Sequence, residues 1–222
     1  MPPVQQFIKH TLKENSFLLS AGRCIYWEEE AALILSDLHF GKTGHFRKSG
    51  IAVPQTVFKE DLQRLTAEIQ FFRAQQLIIV GDLFHSHLNK EMDMFLRWRN
   101  DFTQLPICLV KGNHDILGDE WYHQAGIECT EQPLHKHGFS FTHDMQETEQ
   151  ETGSYVFSGH IHPSIILSGM ARQALRLPCF YFNHTHAVLP AFGRFTGTHA
   201  IEPQKNDTVY ALAGNKVIKV KG

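Results

Sequence analysis

The side chains of this chain that could do metal chemistry fall into five short words: Asp37-Leu38-His39, Gly81-Asp82, Gly112-Asn113-His114-Asp115, Thr142-His143 and Gly159-His160-Ile161-His162. Carboxylate, carboxamide and imidazole are the mixed oxygen and nitrogen donors that hold Mn, Fe, Zn or Co, whereas calcium prefers an all-oxygen shell. No cysteine falls in any word, which disfavours a thiolate zinc site of the structural kind. One donor per side chain gives seven candidate ligands: Asp37, His39, Asp82, Asn113, His143, His160 and His162. Seven is too many for one first-row ion and suits two ions that share a bridging carboxylate. Two such ions about 3.5–4 Å apart can hold a phosphate, sharpen a bridging water into hydroxide and stabilise the leaving oxygen. The glycines before Asp82 and Asn113 let backbone approach closely, as a crowded site requires.

Each word closes an apolar run of strand type, at residues 33–35, 77–80, 107–110, 139–141 and 155–157. Strands of that kind, all ending in polar donors, predict a metal site built along one edge of a sheet. Between the first two runs, apolar residues at Val57, Phe58, Leu62, Leu65, Ile69 and Phe72 have the spacing of an amphipathic helix over residues 54–72. Pro54 suits its first turn. A second helix is predicted over residues 89–102, with Met92, Phe95, Leu96 and Trp98 on its inner face. Strand and helix alternate up to Val110, which predicts βαβ units and a parallel sheet. Beyond Gly126 the pattern changes to short strands with tight turns. The expected fold is α/β, two packed mixed β-sheets flanked by helices (an αββα sandwich), as a single domain over residues 1–222. The polar stretch 145–153 is expected as an exposed loop near the site.

Composition sets the bounds. Of 222 residues, 42% are hydrophobic and 20% charged, the balance of a soluble globular chain with a real core. A net charge of −2 advertises no global field for nucleic acid, so any such binding must use a local patch or bound metal. Residues 1–10 lack a basic head followed by an apolar run, which argues against a secretory leader, and no apolar stretch reaches membrane-spanning length. Four scattered cysteines without a CxxC favour reduced thiols and a cytoplasmic location. The compositional oddity is the fifteen histidines.

The five words in this order resemble those of the calcineurin-like metallophosphoesterases, DxH, GD, GNH(D/E), H and GHxH. Carried over position by position, the resemblance implies that Asp37, His39, Asp82 and His162 bind one divalent metal. Asp82 would bridge to a second, completed by Asn113, His143 and His160. It also implies that His114 faces the substrate phosphate as transition-state stabiliser or leaving-group acid, with Asp115 orienting its ring. Further motifs, among them Phe40-Gly41-Lys42, His45-Phe46-Arg47, Leu83-Phe84-His85-Ser86, Leu177-Pro178-Cys179-Phe180 and Leu189-Pro190-Ala191-Phe192-Gly193, are similar to the ligase-associated DNA damage response endonucleases of bacteria. These accompany an ATP-dependent DNA ligase and a helicase. The implied activity is a manganese-dependent phosphodiesterase of DNA repair, with Fe, Zn or Co as alternative metals. Thr142 stands where many relatives have glycine, and His85 where an acidic residue or asparagine is common. Neither departure removes a ligand.

Several residues carry two readings. Lys42, His45, Arg47 and Lys48 either grip substrate phosphates, with Arg47 and Lys48 foremost, or form a solvated loop. Asp115 either orients His114 or caps the segment after it. Asn183-His184-Thr185-His186 imitates GHxH but reads as a structural strand end. His85 and His87 read as surface histidines first and as partners of the ligands second. Phe180, Tyr181, Phe182 and Phe192 read as core rather than a base-stacking platform. The competing functions are a phosphatase or phosphodiesterase of a small nucleotide-like substrate, and a metal-free scaffold; the intact ligand set argues against the scaffold.

Overall fold

The structure, a computed structural model, describes residues 7–42, 56–85, 90–145, 153–169 and 173–220. Arg47, Lys48, His45, Pro54, His87 and most of the predicted 145–153 loop lie outside the described residues.

Seven strands form the first sheet: β1 (Phe7–Leu12), β2 (Asn15–Ser20), β3 (Cys24–Trp27), β4 (Ala32–Leu35), β5 (Gln76–Val80), β6 (Ile107–Val110) and β7 (Ile127–Thr130), side by side in chain order. β1 to β4 pair antiparallel; β4 to β7 pair parallel, joined by helices α1 (Thr56–Phe72), α2 (Lys90–Asn100) and α3 (Asp119–Gln124). The second sheet contains β8 (Leu134–Lys136), β9 (Phe139–Thr142), β10 (Tyr155–Ser158), β11 (Pro163–Ser168), β12 (Ala174–Phe182), β13 (His186–Val188), β14 (His199–Ala200), β15 (Thr208–Ala213) and β16 (Lys216–Val220). In it, β9, β10 and β13 run parallel.

β4, β5 and β6 are almost wholly apolar because both their faces are covered, whereas the edge strand β7 carries Glu128 and Thr130. Alternation sends Leu33, Leu35, Leu77 and Ile79 into one cluster with Phe58, Leu62, Leu65 and Ile69 of α1 and Met92 and Phe95 of α2. Ile34, Ile78, Val80 and Val110 point the other way, against Phe139, Phe141, Phe157 and Phe180 of the second sheet. Phe17, Trp27, Phe139 and Phe157 fill this seam with ring centroids 5.2–5.8 Å apart, each ring buried completely. Truncating one such ring to alanine typically costs about 3–5 kcal/mol.

The predicted helix spacing over residues 54–72 becomes α1, whose buried stripe is Phe58, Leu62, Leu65, Ile69 and Phe72. It ends in a Schellman turn: Arg73 takes a left-handed φ of 52°, and the amides of Arg73 and Ala74 bond the carbonyls of Gln70 and Ile69. Phe180, Phe182 and Phe192 are core, whereas Tyr181, expected among them, is half-buried with its hydroxyl on Asp207, because alternation along β12 turns it away from the seam. All four cysteines are unpaired. Among the described residues no helix is long and apolar enough to cross a membrane.

Candidate metal centre

Parallel pairing in register brings the C-terminal ends of five strands to one edge. β4 runs into Asp37 and His39, β5 into Asp82, β6 into Asn113, β9 into His143, and β10 into His160 and His162. The five runs recognised in the sequence are these five strands. The amides of Asp37 and His39 donate to the carbonyls of Gly81 and Asp82, so the first two words are stitched together past the end of the sheet.

Beyond the strands the backbone is strained. Asp37, His39, Asp82, His160 and His162 all have left-handed φ, between 49° and 70°. A non-glycine residue in that region costs about 1–3 kcal/mol and persists where the surroundings over-determine it, typically at functional sites. Five of the seven predicted ligands share it.

Each buried carboxylate is held by one oxygen and leaves the other toward the site. Asp82 Oδ1 accepts the His114 amide at 2.9 Å, while Oδ2 stands 3.7 Å from His39 Nε2 and 3.5 Å from His143 Nε2. Asp37 Oδ2 accepts the His160 amide at 3.0 Å; its Oδ1 is buried, accepts no hydrogen bond, and lies 3.1 Å from His162 Nε2 and 3.8 Å from His39 Nε2. The remaining donors close the arrangement. His39 Nε2 and His162 Nε2 are 3.2 Å apart, His143 Nε2 is 3.2 Å from Asn113 Oδ1, and His160 Nδ1 is 3.1 Å from His143 Nε2. Donors about 2.1 Å from a first-row ion sit roughly 3.0–3.4 Å from one another, so the 3.1–3.2 Å spacings fit, while those of 3.5–3.8 Å from His39 and His143 to the carboxylates are wider.

The donors thus fall into two sets, Asp37, His39 and His162 on one side and Asn113, His143 and His160 on the other, with Asp82 Oδ2 between them. An unpaired buried carboxylate oxygen costs several kcal/mol unless a cation answers it, and that orphaned Asp37 oxygen is what a divalent metal would satisfy. Among the described residues, two clusters of acidic and imidazole donors have metal-ligating spacing, Asp37 with His39 and His162, and Asp37 with Asp82 and His143, so Asp37 also lies within reach of the second set.

The far nitrogens of the rings are also placed. His143 Nδ1 faces the Val80 carbonyl at 3.3 Å and His162 Nδ1 the Gly197 carbonyl at 3.0 Å, so donation there leaves both Nε2 lone pairs for the site. His39 Nδ1 faces His85 Nδ1 at 3.3 Å. Burial pushes His39 down to about 3, against the pull of Asp37 and Asp82, and keeps it the neutral ring that a ligand must be. At His143 burial also favours the neutral ring, but the Asp82 hydrogen bond and the Asp37 and Asp82 charges outweigh it and lift it to about 9, so ligation through its Nε2 would have to displace a proton. Burial opposes ionisation of Asp82, yet His143, the His114 amide and His39 hold it at about 2.

His114 lies half-buried at the rim, its ring centroid 4.1 Å from His85 and 5.5 Å from His39. The expectation for Asp115 needs correction. Its Oδ2 accepts the Gly112 amide at 2.9 Å and its Oδ1 the Phe84 amide at 3.1 Å, with Tyr122 Oη at 3.4 Å. The carboxylate therefore pins the turn bearing Asn113 and His114 to the turn after Asp82, and does not orient the His114 ring. Burial pushes it up to about 6. His85, read first as a surface residue, instead backs His39 and lies against the His114 ring, the two planes tilted by 41°. The sequence signal for it was its place three residues after Asp82. Asn183 Oδ1 accepts the amides of Thr185 and His186, so the Asn183-His184-Thr185-His186 word is a turn between β12 and β13.

The glycines before the ligands are there for room. A Cβ on Gly81, which has φ of 78°, would overlap the His143 ring, one on Gly112 would strike Asp82 Oδ1, and one on Gly159 would sit 2.5 Å from Asp37 Oδ2. Gly81→Ala should therefore displace His143 and add about 1–2 kcal/mol of left-handed strain. Thermal melting should show a lowered Tm, and metal analysis a loss confined to the His143 side. An alanine variant with wild-type melting and metal content would contradict this account.

The family model of the calcineurin-like phosphoesterases matches residues 32–137, which hold the first three words. The chain is similar in structure to the nuclease MPE of Pseudomonas putida, with 27% identity and a TM-score of 0.82 over 97% of this chain and 100% of that one. A phosphoesterase of E. coli, Yfce, aligns over 85% of this chain and 97% of its own at 13% identity and a TM-score of 0.45. No curated protein matches the chain.

Proposed function

We propose that this chain, a calcineurin-like metal-dependent phosphoesterase, is a dinuclear phosphodiesterase that cleaves nucleic acid. The observation that carries the reading is the pair of donor sets meeting at Asp82 Oδ2, beside a buried Asp37 oxygen with no hydrogen-bond donor. Asp37, His39, Asp82 and His162 would hold one divalent ion, and Asp82, Asn113, His143 and His160 the other. Two such ions supply Lewis acidity to the phosphate oxygens and make water a nucleophile at neutral pH.

The chain's own residues do the rest. The amides of His114 and His160 fix the two carboxylates, and the Asp115 carboxylate fixes the turn that presents Asn113 and His114. His114, at the rim and not needed as a ligand, holds the proton that the leaving oxygen takes up. The similarity to the Pseudomonas putida nuclease supports a nucleic-acid substrate. The sequence resemblance supports DNA, manganese, a cytoplasmic repair setting, and a DNA ligase and helicase as partners.

The direct test compares metal-loaded protein on bis-p-nitrophenyl phosphate and p-nitrophenyl phosphate, then on nicked and single-stranded DNA. Diester and DNA cleavage that both depend on added metal are expected. Brisk nucleotide hydrolysis with no DNA cleavage under any first-row metal would replace the reading with the small-substrate one.

Arg47 and Lys48 are proposed to hold flanking phosphates. A chain of net charge −2 has no whole-molecule field to rely on, so a local cluster matters disproportionately. Arg47→Ala with Lys48→Ala should raise KM for DNA and leave small-diester cleavage nearly unchanged. Loss of two phosphate contacts should flatten the salt dependence of DNA binding by about two units of slope, less on single strands. If small-diester and DNA activity fall together, these residues belong to the catalytic machinery.

A further inference from the structure

The Leu189-Pro190-Ala191-Phe192-Gly193 motif has no part in the metal centre itself, yet the chain around it straps the first donor set from both ends. Once Asp37 and His39 turn left-handed, β4 can no longer pair in the ordinary way and its last carbonyls need new donors. The strap supplies them. The amides of Phe192 and Gly193 donate to the carbonyls of Ser36 and Asp37 at 2.8 and 3.0 Å, continuing a parallel bridge between Ser36 and Ala191. Gly193 packs so closely on the Leu38 carbonyl that a Cβ would overlap it. Four residues on, the Gly197 carbonyl takes the Nδ1 proton of His162, and the His199 amide donates to the His162 carbonyl at 3.0 Å.

The near end of the strap is gripped by two arginines from other elements. Arg23, in the β2–β3 turn, donates from Nη1 to the carbonyls of Ala191 and Gly193, each at 3.2 Å. Arg64, on α1, donates to the Phe192 carbonyl and stacks its guanidinium 4.2 Å from the centre of the Phe192 ring. Asp61 pairs with Arg64 at 2.8 Å, and its other oxygen accepts the Arg194 amide at 3.3 Å. Three consecutive carbonyls are thus taken by guanidinium groups, and three consecutive amides by Ser36, Asp37 and Asp61. Burying charge in this way is a poor route to stability, because desolvation offsets most of the attraction. What a planar, forked donor gives is fixed geometry.

We infer that Arg64 and Arg23 are positioning residues: through the strap they fix the main chain of residues 36–38, which leads into His39, and the ring of His162, and so set the divalent-metal affinity of the Asp37, His39 and His162 donors. The bonds of both arginines go to the strap and to Asp61, not to any of the seven donors. The inference rests on the dinuclear reading above and is tested without activity. Metal-free protein is titrated with Mn²⁺, free ion being followed by paramagnetic resonance, and separately with Co²⁺, whose visible spectrum reports donor geometry. Arg64→Met should weaken one of two binding steps by about 10–100-fold, the usual cost of losing a partner behind a ligand. That step should be the one lost in Asp37→Asn, and its Co²⁺ spectrum should change, while the other step stays within about threefold. Arg64→Lys, which keeps charge without the fork, should recover part of the loss. Arg23→Gln, at a half-buried position, should reproduce the pattern if Arg64→Met does not fold.

Folded variants with wild-type binding steps and spectra would overturn the inference. So would a uniform loss at both steps that tracks a lowered Tm. A wild-type protein that takes up no divalent ion would overturn the dinuclear reading itself, whereas a metal-binding wild type with unaffected variants would overturn this inference alone.

Discussion

Asp82→Asn is expected to strip both metals from the protein at once. The substitution keeps the shape, and Oδ1 can still accept the His114 amide. The atom facing His39 Nε2 and His143 Nε2, at 3.7 and 3.5 Å, becomes an amide NH₂ with no lone pair for a cation. Because that atom lies between the two donor sets, both lose a ligand and the charge that draws the ions in. Affinity should fall at each site by more than the roughly 10–100-fold that follows loss of an outer partner, and phosphoester hydrolysis should fall to background. Asp37→Asn should act less evenly and chiefly empty the side holding His39 and His162. Elemental analysis after reconstitution with excess Mn²⁺ separates the two variants. Wild type should approach two ions per chain, and Asp82→Asn should fall below one. An Asp82→Asn protein that keeps one ion at wild-type affinity would rule out a shared carboxylate oxygen.

What was legible in the sequence was the local part of this centre. Strand runs end abruptly in donors, and because β4, β5 and β6 pair parallel in register, the donors after them meet at one edge without further information. The helix over residues 56–72 was equally readable, since its buried stripe recurs with helical period. Four features were not readable, each because it depends on non-local pairing or packing. The antiparallel strands β1 to β3 join the first sheet through partners that periodicity does not name. Asp115 has the residue type of a ring-orienting carboxylate, but its neighbours in space are the Gly112 and Phe84 amides, which only the approach of two turns could reveal. Arg23 and Arg64 look like ordinary surface charges in sequence and meet residues 191–193 only across the fold. Left-handed φ at five predicted ligands is likewise imposed by the packing, since no Asp or His propensity would choose it alone.

His114→Ala should keep both metals and lose most of the turnover. Its neighbour Asn113 already faces His143 with Oδ1 at 3.2 Å, and among the described residues the bond from His114 into the centre is its main-chain amide to Asp82, which alanine retains. The side chain instead stands at the rim, with its ring 4.1 Å from His85 and 5.5 Å from His39. A proton donor placed there would serve the oxygen that leaves the phosphorus under the proposed reading, and loss of such a group lowers the rate by about 10²–10⁴-fold. The size of the loss should depend on the leaving group. A p-nitrophenolate departs without help, so bis-p-nitrophenyl phosphate should be affected least, and a sugar alkoxide in DNA most. Metal content, measured on the same preparations, should match wild type within error. Loss of metal in His114→Ala would make the ring a ligand, and an equal loss on every leaving group would make it a stabiliser of phosphate charge rather than an acid.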